Sequence, residues 1–240
     1  MKKLNKFAAA LAAMVMALSF AGCSDNEEKD SGFDPSEVKA PAGSKLIESA
    51  EDVAALELAG NWKLTGDYIA QYVNDNEISR LTKVDDITEA LLDNGYWGIN
   101  DDGVVPGSYL KAILKAILGI AFYDGEEGDD DYEDYGIEHS SGRWFAVSED
   151  SNTLYGYMWN KITYKPVFWE YLLAEFSKEY EQDFKSKKEL FDYLKGLSDE
   201  ELDKALDELE MDKSDIELID KYWGASSDAG AIKFTFTKQS

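Results

Sequence analysis

The single histidine of the 240-residue chain, His139, is the only side chain that could act as the base of a serine hydrolase. It lies in the segment Glu138-His-Ser-Ser-Gly142, and the Gly-x-Ser-x-Gly motif that exposes a nucleophilic serine is absent from the sequence. The phosphate-binding motif Gly-x-x-x-x-Gly-Lys and the dinucleotide-binding motif Gly-x-Gly-x-x-Gly are absent too. We therefore predict that His139 is a solvated loop residue and that the protein is not an enzyme, with no catalytic residues and no cofactor.

A run of acidic residues at 124–135, DGEEGDDDYEDY, offers many of the oxygen ligands that calcium prefers. Its spacing does not fit an EF-hand. Counting from Asp131 places Gly136 correctly at the sixth position, but Tyr135 and Gly142 fall at ligand positions five and twelve. Like charges at this density are typical of a solvated loop. We predict no metal site, and calcium binding by this loop remains the alternative.

The aromatic residues of the segment 153–164 are the best candidates for a binding site. The alternation there places Tyr155, Tyr157 and Trp159 on one face of a strand, with Leu154 and other aliphatic residues on the opposite face. Together with Trp62 from an N-terminal strand, these three aromatic residues could line an apolar ligand pocket. A packed core or a cross-strand ladder is the alternative explanation.

The N-terminus has the pattern of a secretion signal. Lysines at positions 2, 3 and 6 precede an uncharged run over residues 7–22, which ends in Phe20-Ala-Gly-Cys23 and is followed by Ser24. These sixteen residues are few for a helix that must cross about 30 Å of hydrocarbon. The alternative is an ordinary signal peptide with an incidental cysteine. Cys23 is, however, the only cysteine of the chain, and it stands where a lipid would be attached.

Phe20-Ala-Gly-Cys23 resembles the lipobox of bacterial lipoproteins, in which small residues precede a cysteine that receives a diacylglycerol and becomes the mature N-terminus. Phe20 stands where that family usually carries an aliphatic residue. The resemblance implies a signal peptide over 1–22, lipid attachment at Cys23 and a membrane anchor in the bacterial cell envelope. Ser24, in place of the aspartate that retains lipoproteins at the inner membrane, favours the outer membrane. Whether the domain faces the periplasm or the cell surface is left open.

The composition limits the function further. The chain has 24 Lys and Arg against 49 Asp and Glu, a formal net charge of −25, which argues against nucleic acid as a partner. One cysteine excludes an intramolecular disulfide and multi-cysteine zinc sites. With 44% hydrophobic residues, the chain has ample material for a packed core.

The domain organisation follows from changes in local composition. Residues 23–43 are polar and acidic with two prolines, and we predict that they form the acylated cysteine and a disordered acidic tether. Residues 44–240 are predicted to form a single α+β domain. Its fold is expected to be a small antiparallel sheet or partial barrel with large helical insertions, whose strands lie near 60–66, 143–148, 153–164 and 231–238.

Helices are indicated by apolar spacing and by capping residues. Predicted helices cover 49–56, Pro106–Tyr123 and Pro166 to about Phe184. Three capping boxes, beginning at Ser186, Ser198 and Ser214, predict three short helices that complete a helical segment over 166–223.

Gly60-Asn-Trp62, after a short helix, resembles the Gly-x-Trp opening strand of lipocalin-like domains, and the segment 232–238 is similar to the last strand of lipocalin-like bacterial lipoproteins. This resemblance implies an antiparallel barrel that binds small hydrophobic molecules. The helices at Pro106–Tyr123 and 166–223 occupy positions where that family has strands. We therefore expect a reduced sheet in place of an eight-stranded barrel.

Two functions are compatible with these patterns. The first is a non-enzymatic, lipid-anchored lipoprotein of the cell envelope that binds a small apolar ligand or a partner protein. The alternative is a structural or interaction lipoprotein whose acidic helical half docks on a basic envelope protein.

Overall fold

The computed structural model describes residues 33–85, 87–88, 100, 102–119, 136–198, 200, 202 and 213–239. Several predictions fall outside these residues. They concern the signal peptide, the lipid attachment at Cys23, the acidic loop 124–135 and most of the second of the three short helices.

Seven antiparallel strands form one open sheet, which lies at the centre of the fold. The spatial order is β1-β5-β6-β7-β2-β3, and β4 pairs with the beginning of β2. The strands are β1 (Lys45–Leu46), β2 (Asn61–Val73), β3 (Asn76–Leu81), β4 (Val104–Pro106), β5 (Ile137–Val147), β6 (Thr153–Tyr164) and β7 (Ser227–Lys238). The predicted α+β class with an antiparallel sheet is confirmed.

The helices lie between the strands in the sequence. Within the described ranges they include α1 (Ala50–Ala55), α2 (Gly107–Gly119), α3 (Pro166–Glu179), α4 (Lys187–Gly196) and α5 (Lys213–Tyr222). The predicted start of α2 is one residue early, because Pro106 still belongs to β4. Ser186 caps α4 as predicted, and its side chain accepts a hydrogen bond from the Glu189 backbone N–H. The predicted cap at Ser214 is wrong, since α5 already contains that residue.

The sheet is larger than predicted because β2 continues for 13 residues and then turns into β3. Asn74 and Asp75 form the two-residue turn, with φ angles of 52° and 59°. Asparagine and aspartate tolerate positive φ better than most residues, and such turns match the twist of paired strands. The polar pair Asn74-Asp75 is the local sequence signal for this hairpin.

One face of the sheet, the helix-covered face, carries two hydrophobic clusters. Near one end, α2 contributes the buried Leu110 and Leu114, which pack with Trp62, Phe234 and other strand residues. Near the other end, α3, α4 and α5 pack over the sheet around residues that include Val73, Ile162, Phe168, Leu172, Phe176, Leu190, Leu194 and Ile219. Burial of these apolar side chains stabilises the fold by roughly 25 cal/mol for each Å² removed from water.

Residues 33–43 are part of the fold, so the prediction of a disordered tether up to residue 43 is wrong for this stretch. Asp34 caps a short 3-10 helix over Pro35–Glu37 by accepting a hydrogen bond from the Ser36 backbone N–H. Pro35 is buried, and the segment packs against the face of the sheet opposite to the helices. Composition indicated disorder because it does not register the few apolar side chains that this stretch buries.

Candidate functional site

The second face of the sheet carries aromatic residues on three strands. Tyr68 and Tyr72 come from β2, Trp144 from β5, and Tyr157 and Trp159 from β6. We call these five residues the aromatic face. Tyr72 and Tyr157 are buried, with 1% and 0% of their surfaces exposed, and the other three are half-buried.

Small residues on β7 leave room for these rings. Tyr72 lies opposite Ala229, and Trp159 lies opposite Ala231. Tyr157 pairs directly with Trp144, and their rings are stacked with centroids 5.7 Å apart. Aromatic pairs of this kind contribute about 0.5–1.5 kcal/mol beyond their burial.

A glycine sets the position of Trp159. Its cross-strand partner is Gly142, and a Cβ atom at that glycine would lie only 2.7 Å from the Trp159 Nε1 atom. The indole ring therefore rests on the Gly142 backbone, where any other residue would push it away.

The four predicted site residues do not all lie on the same face of the sheet. Tyr157 and Trp159 belong to the aromatic face, and Tyr155 lies on the same side of β6, half-buried and paired with Ala146 and Thr235. Trp62 lies on the opposite, helix-covered face, where it is completely buried in the core. The predicted grouping of Trp62 with the other three is therefore wrong, and ligand binding by those three stays a prediction.

An irregularity in β2 explains the misplaced tryptophan. The pairing of β2 with β7 shifts register between Leu64 and Gly66. A one-residue shift moves the following side chains to the other side of a sheet. Trp62 and Leu64 consequently face the helices, whereas the even-numbered Tyr68 and Tyr72 further along the same strand face away from them.

A short stretch of chain, which we call the cover segment (residues 33–38), lies over the aromatic face. The ring of Phe33 stacks on that of Tyr72, with centroids 3.9 Å apart and an interplanar angle of 11°. The Phe33 backbone N–H donates to the Asp75 carbonyl oxygen at 3.3 Å. The Trp144 Nε1–H donates to the Val38 carbonyl oxygen at 2.8 Å.

Arg80 on β3 contacts two tyrosines of the aromatic face. Its Nη2 atom donates to the Tyr72 hydroxyl at 3.3 Å, and its Cζ atom lies 4.3 Å from the centroid of the Tyr68 ring. Glu77 neutralises this charge, because the Arg80 Nε atom lies 3.0 Å from each carboxylate oxygen. The guanidinium group thus adds a polar edge to the aromatic face with little net charge.

The tyrosine hydroxyls of the aromatic face stay protonated. Burial raises the pKa of Tyr72 and that of Tyr157 far above the usual value, and it raises the pKa of Tyr68 as well. A neutral hydroxyl can both donate and accept hydrogen bonds. The chemistry that this face offers is therefore ring stacking and hydrogen bonding.

His139, the candidate base, lies on β5 opposite Ile162 and not in a loop, although its side chain is exposed as expected. The loop assignment was wrong because β5 begins at Ile137, six residues before the predicted strand. Within the described ranges, no three His, Cys, Asp or Glu side chains come together in a way that would hold a metal ion.

No protein-family model, curated protein or solved structure matches the chain. Among the residues that the structure describes, no helix is both long enough and apolar enough to cross a membrane.

Proposed function

We propose that the protein is a lipid-anchored, non-enzymatic lipoprotein of the bacterial cell envelope and that its aromatic face binds a small apolar ligand. One observation carries the proposal. Among the described residues, Phe33 and Val38 are the ones outside the strands that pack on the aromatic face, and both belong to the cover segment.

The contrast with the other face supports a binding role. The helix-covered face buries its side chains under helices, as expected of a permanent core. The aromatic face keeps Tyr68, Trp144 and Trp159 half-buried around two buried tyrosines. Tyrosine and tryptophan combine a large apolar surface with a polar atom, which suits surfaces that bind and release ligands.

The place of the anchor is compatible with this role. Phe33 follows Cys23 by ten residues, and an extended chain of that length spans at most about 35 Å. A lipid on Cys23 would therefore hold the aromatic face within a short distance of the membrane surface. Apolar molecules that concentrate at this surface would be close to the site.

The alternative, docking of the acidic helical half on a basic partner, has less support. Exposed acids in this half already pair with lysines, as in Asp192 with Lys188 and Asp183 with Lys185. Asp220 pairs with both Lys187 and Lys195, at 3.0 Å and 2.8 Å. These local pairs reduce the negative field that a basic partner would meet.

Mass spectrometry of the protein purified from bacterial membranes tests both parts of the proposal. We expect the denatured chain to lack residues 1–22 and to carry a diacylglycerol and an acyl chain, and we expect Cys23→Ser to abolish this modification. We expect the native protein to carry an additional ligand of a few hundred daltons that denaturation removes.

The matched variants for the ligand are Trp159→Leu and Trp223→Leu. Both tryptophans are half-buried, but Trp223 packs among the helices, 5.2 Å from Trp169 between ring centroids. We expect the additional mass to disappear in Trp159→Leu and to persist in Trp223→Leu. A native protein without any additional mass would contradict the binding role and favour docking on a partner.

A further inference from the structure

We propose that the ligand of the aromatic face is a planar aromatic group that binds on Tyr72. In the free protein the Phe33 ring occupies this place, and the ligand displaces the cover segment when it binds. This inference rests on the proposed function and names the class of ligand for the same face.

The geometry of the Phe33 ring indicates a flat ligand. Two rings that lie 3.9 Å apart and within 11° of parallel touch over most of one face. A saturated ring or a branched aliphatic chain is thicker and would not lie flat on Tyr72 at this distance. The surface that Phe33 covers is thus matched to a planar group.

The charges beside this position favour an uncharged ring. Arg80 donates to the Tyr72 hydroxyl, but both its Nε and Nη2 atoms also bond to the Glu77 carboxylate. A carboxylate on the ligand would compete with Glu77 for Arg80 and gain little. A neutral planar group leaves this ion pair intact.

Displacement of the cover segment would break few hydrogen bonds to the sheet, although it would expose the buried Pro35. The hydrogen bonds that hold it to the sheet include one long bond, 3.3 Å from the Phe33 nitrogen to the Asp75 oxygen, and one from Trp144 to Val38. The Asp34 side chain bonds within the segment, to Ser36, and so does not tie the segment to the sheet. Phe33 itself is only half-buried.

Displacement would also change the link to the anchor. The cover segment lies between Cys23 and the first strand, so its release adds residues to the chain that joins the lipid to the sheet. A ligand on Tyr72 would in this way let the domain move further from the membrane.

The test uses the full-length protein in lipid nanodiscs, with empty nanodiscs as the reference for partitioning into lipid. The probes are indole, which is planar and neutral, and cyclohexanol, which is neutral but not planar, and binding is followed by ligand-observed NMR. We expect wild-type protein to prefer indole over cyclohexanol. Phe33→Ala should bind indole about tenfold more tightly, because the competing ring is gone.

Two further variants distinguish displacement of the Phe33 ring from a general loosening of the sheet. Phe33→Tyr keeps the stacked ring and should bind indole like the wild type. Tyr72→Leu, added to Phe33→Ala, should remove the gain in affinity, and its circular dichroism spectrum reports whether the sheet remains folded. Equal indole affinity of wild type and Phe33→Ala, or an equal gain for cyclohexanol, would overturn the inference.

The outcome also distinguishes this inference from the proposed function. A natural ligand that is lost in Trp159→Leu, together with unchanged indole binding in Phe33→Ala, would leave the proposed function standing and refute the role of Phe33. Absence of a natural ligand and of indole binding in every variant would refute both.

Discussion

The two faces of the sheet bury aromatic rings in different ways. On the helix-covered face, Trp62, Phe234 and Phe236 are completely buried, together with aliphatic residues from α2. On the aromatic face, the buried rings are Tyr72 and Tyr157, and the segment above them contributes Phe33 and Val38. Phenylalanine has no polar atom to satisfy, whereas the Tyr72 hydroxyl on the aromatic face accepts a hydrogen bond from Arg80. The two faces therefore differ in what covers them, which is helices on one face and the short cover segment on the other.

The largest effect is expected from Phe234→Ala on the helix-covered face. Phe234 is completely buried, and its ring lies directly on Gly156, where a Cβ atom would be 2.1 Å from the Phe234 Cζ atom. Removal of this ring leaves a cavity, and we expect the free energy of unfolding to fall by about 3–5 kcal/mol. Urea denaturation measures this value. A loss below about 1 kcal/mol would show that this face is not the main core.

The second-largest effect on stability is expected at Asp228, which lies on the helix-covered face next to Val73 and Ile162. Burial raises the pKa of its carboxyl group to about 7, although the hydrogen bond donated by the Tyr164 hydroxyl acts in the opposite direction. Since the folded state holds this proton more tightly than the unfolded state, the contribution to stability is complete below about pH 4. It is lost as the pH rises to about 7.

Asp228→Asn tests this pH dependence. At about 1.4 kcal/mol for each pKa unit, we expect the wild type to lose up to about 4 kcal/mol relative to the variant between pH 4 and pH 7. Urea denaturation of both proteins at several pH values gives the difference, which removes the contribution of the other acidic groups. A difference that does not change with pH would mean that water reaches this part of the core.

A smaller effect is expected from Gly142→Ala on the aromatic face. The new Cβ atom would displace the Trp159 indole, and we expect a loss of about 1–3 kcal/mol together with a shift in tryptophan fluorescence. Gly196→Ala is the control, because a Cβ atom at Gly196 has no neighbour within 4 Å. The control should stay within about 0.5 kcal/mol of the wild type. If both variants behaved alike, Trp159 would not rest on Gly142.

The smallest effect on stability is expected from Phe33→Ala. The stacked ring is half-buried, so its loss should lower the free energy of unfolding by about 1 kcal/mol. Phe33→Tyr, which preserves the stack, should leave stability unchanged. A loss as large as that of Phe234→Ala would remove the distinction between the two faces, since the cover segment would then be part of the permanent core.

Local patterns predicted the regular elements well where one periodicity continued without interruption. The alternation in 153–164 gave β6 with its observed bounds, and Pro166 marked the first residue of α3. The candidate site was predicted in part, because Tyr157 and Trp159 were recognised from the same alternation. Tyr68, Tyr72, Trp144 and the nearby Arg80 were missed. The β2 tyrosines reach the aromatic residues of β5 and β6 through β7, and the pairing of Ile69 with Ile232 joins segments that are about 160 residues apart.

The sequence by itself determined the class of the fold and the faces of individual strands, because side-chain alternation is a property of each strand alone. Only the tertiary structure decided which faces of different strands coincide. The register shift between Leu64 and Gly66 moved Trp62 to the core, and the stacking of Phe33 on Tyr72 folded a segment whose composition indicated disorder. Both depend on contacts between distant residues, which no local periodicity contains.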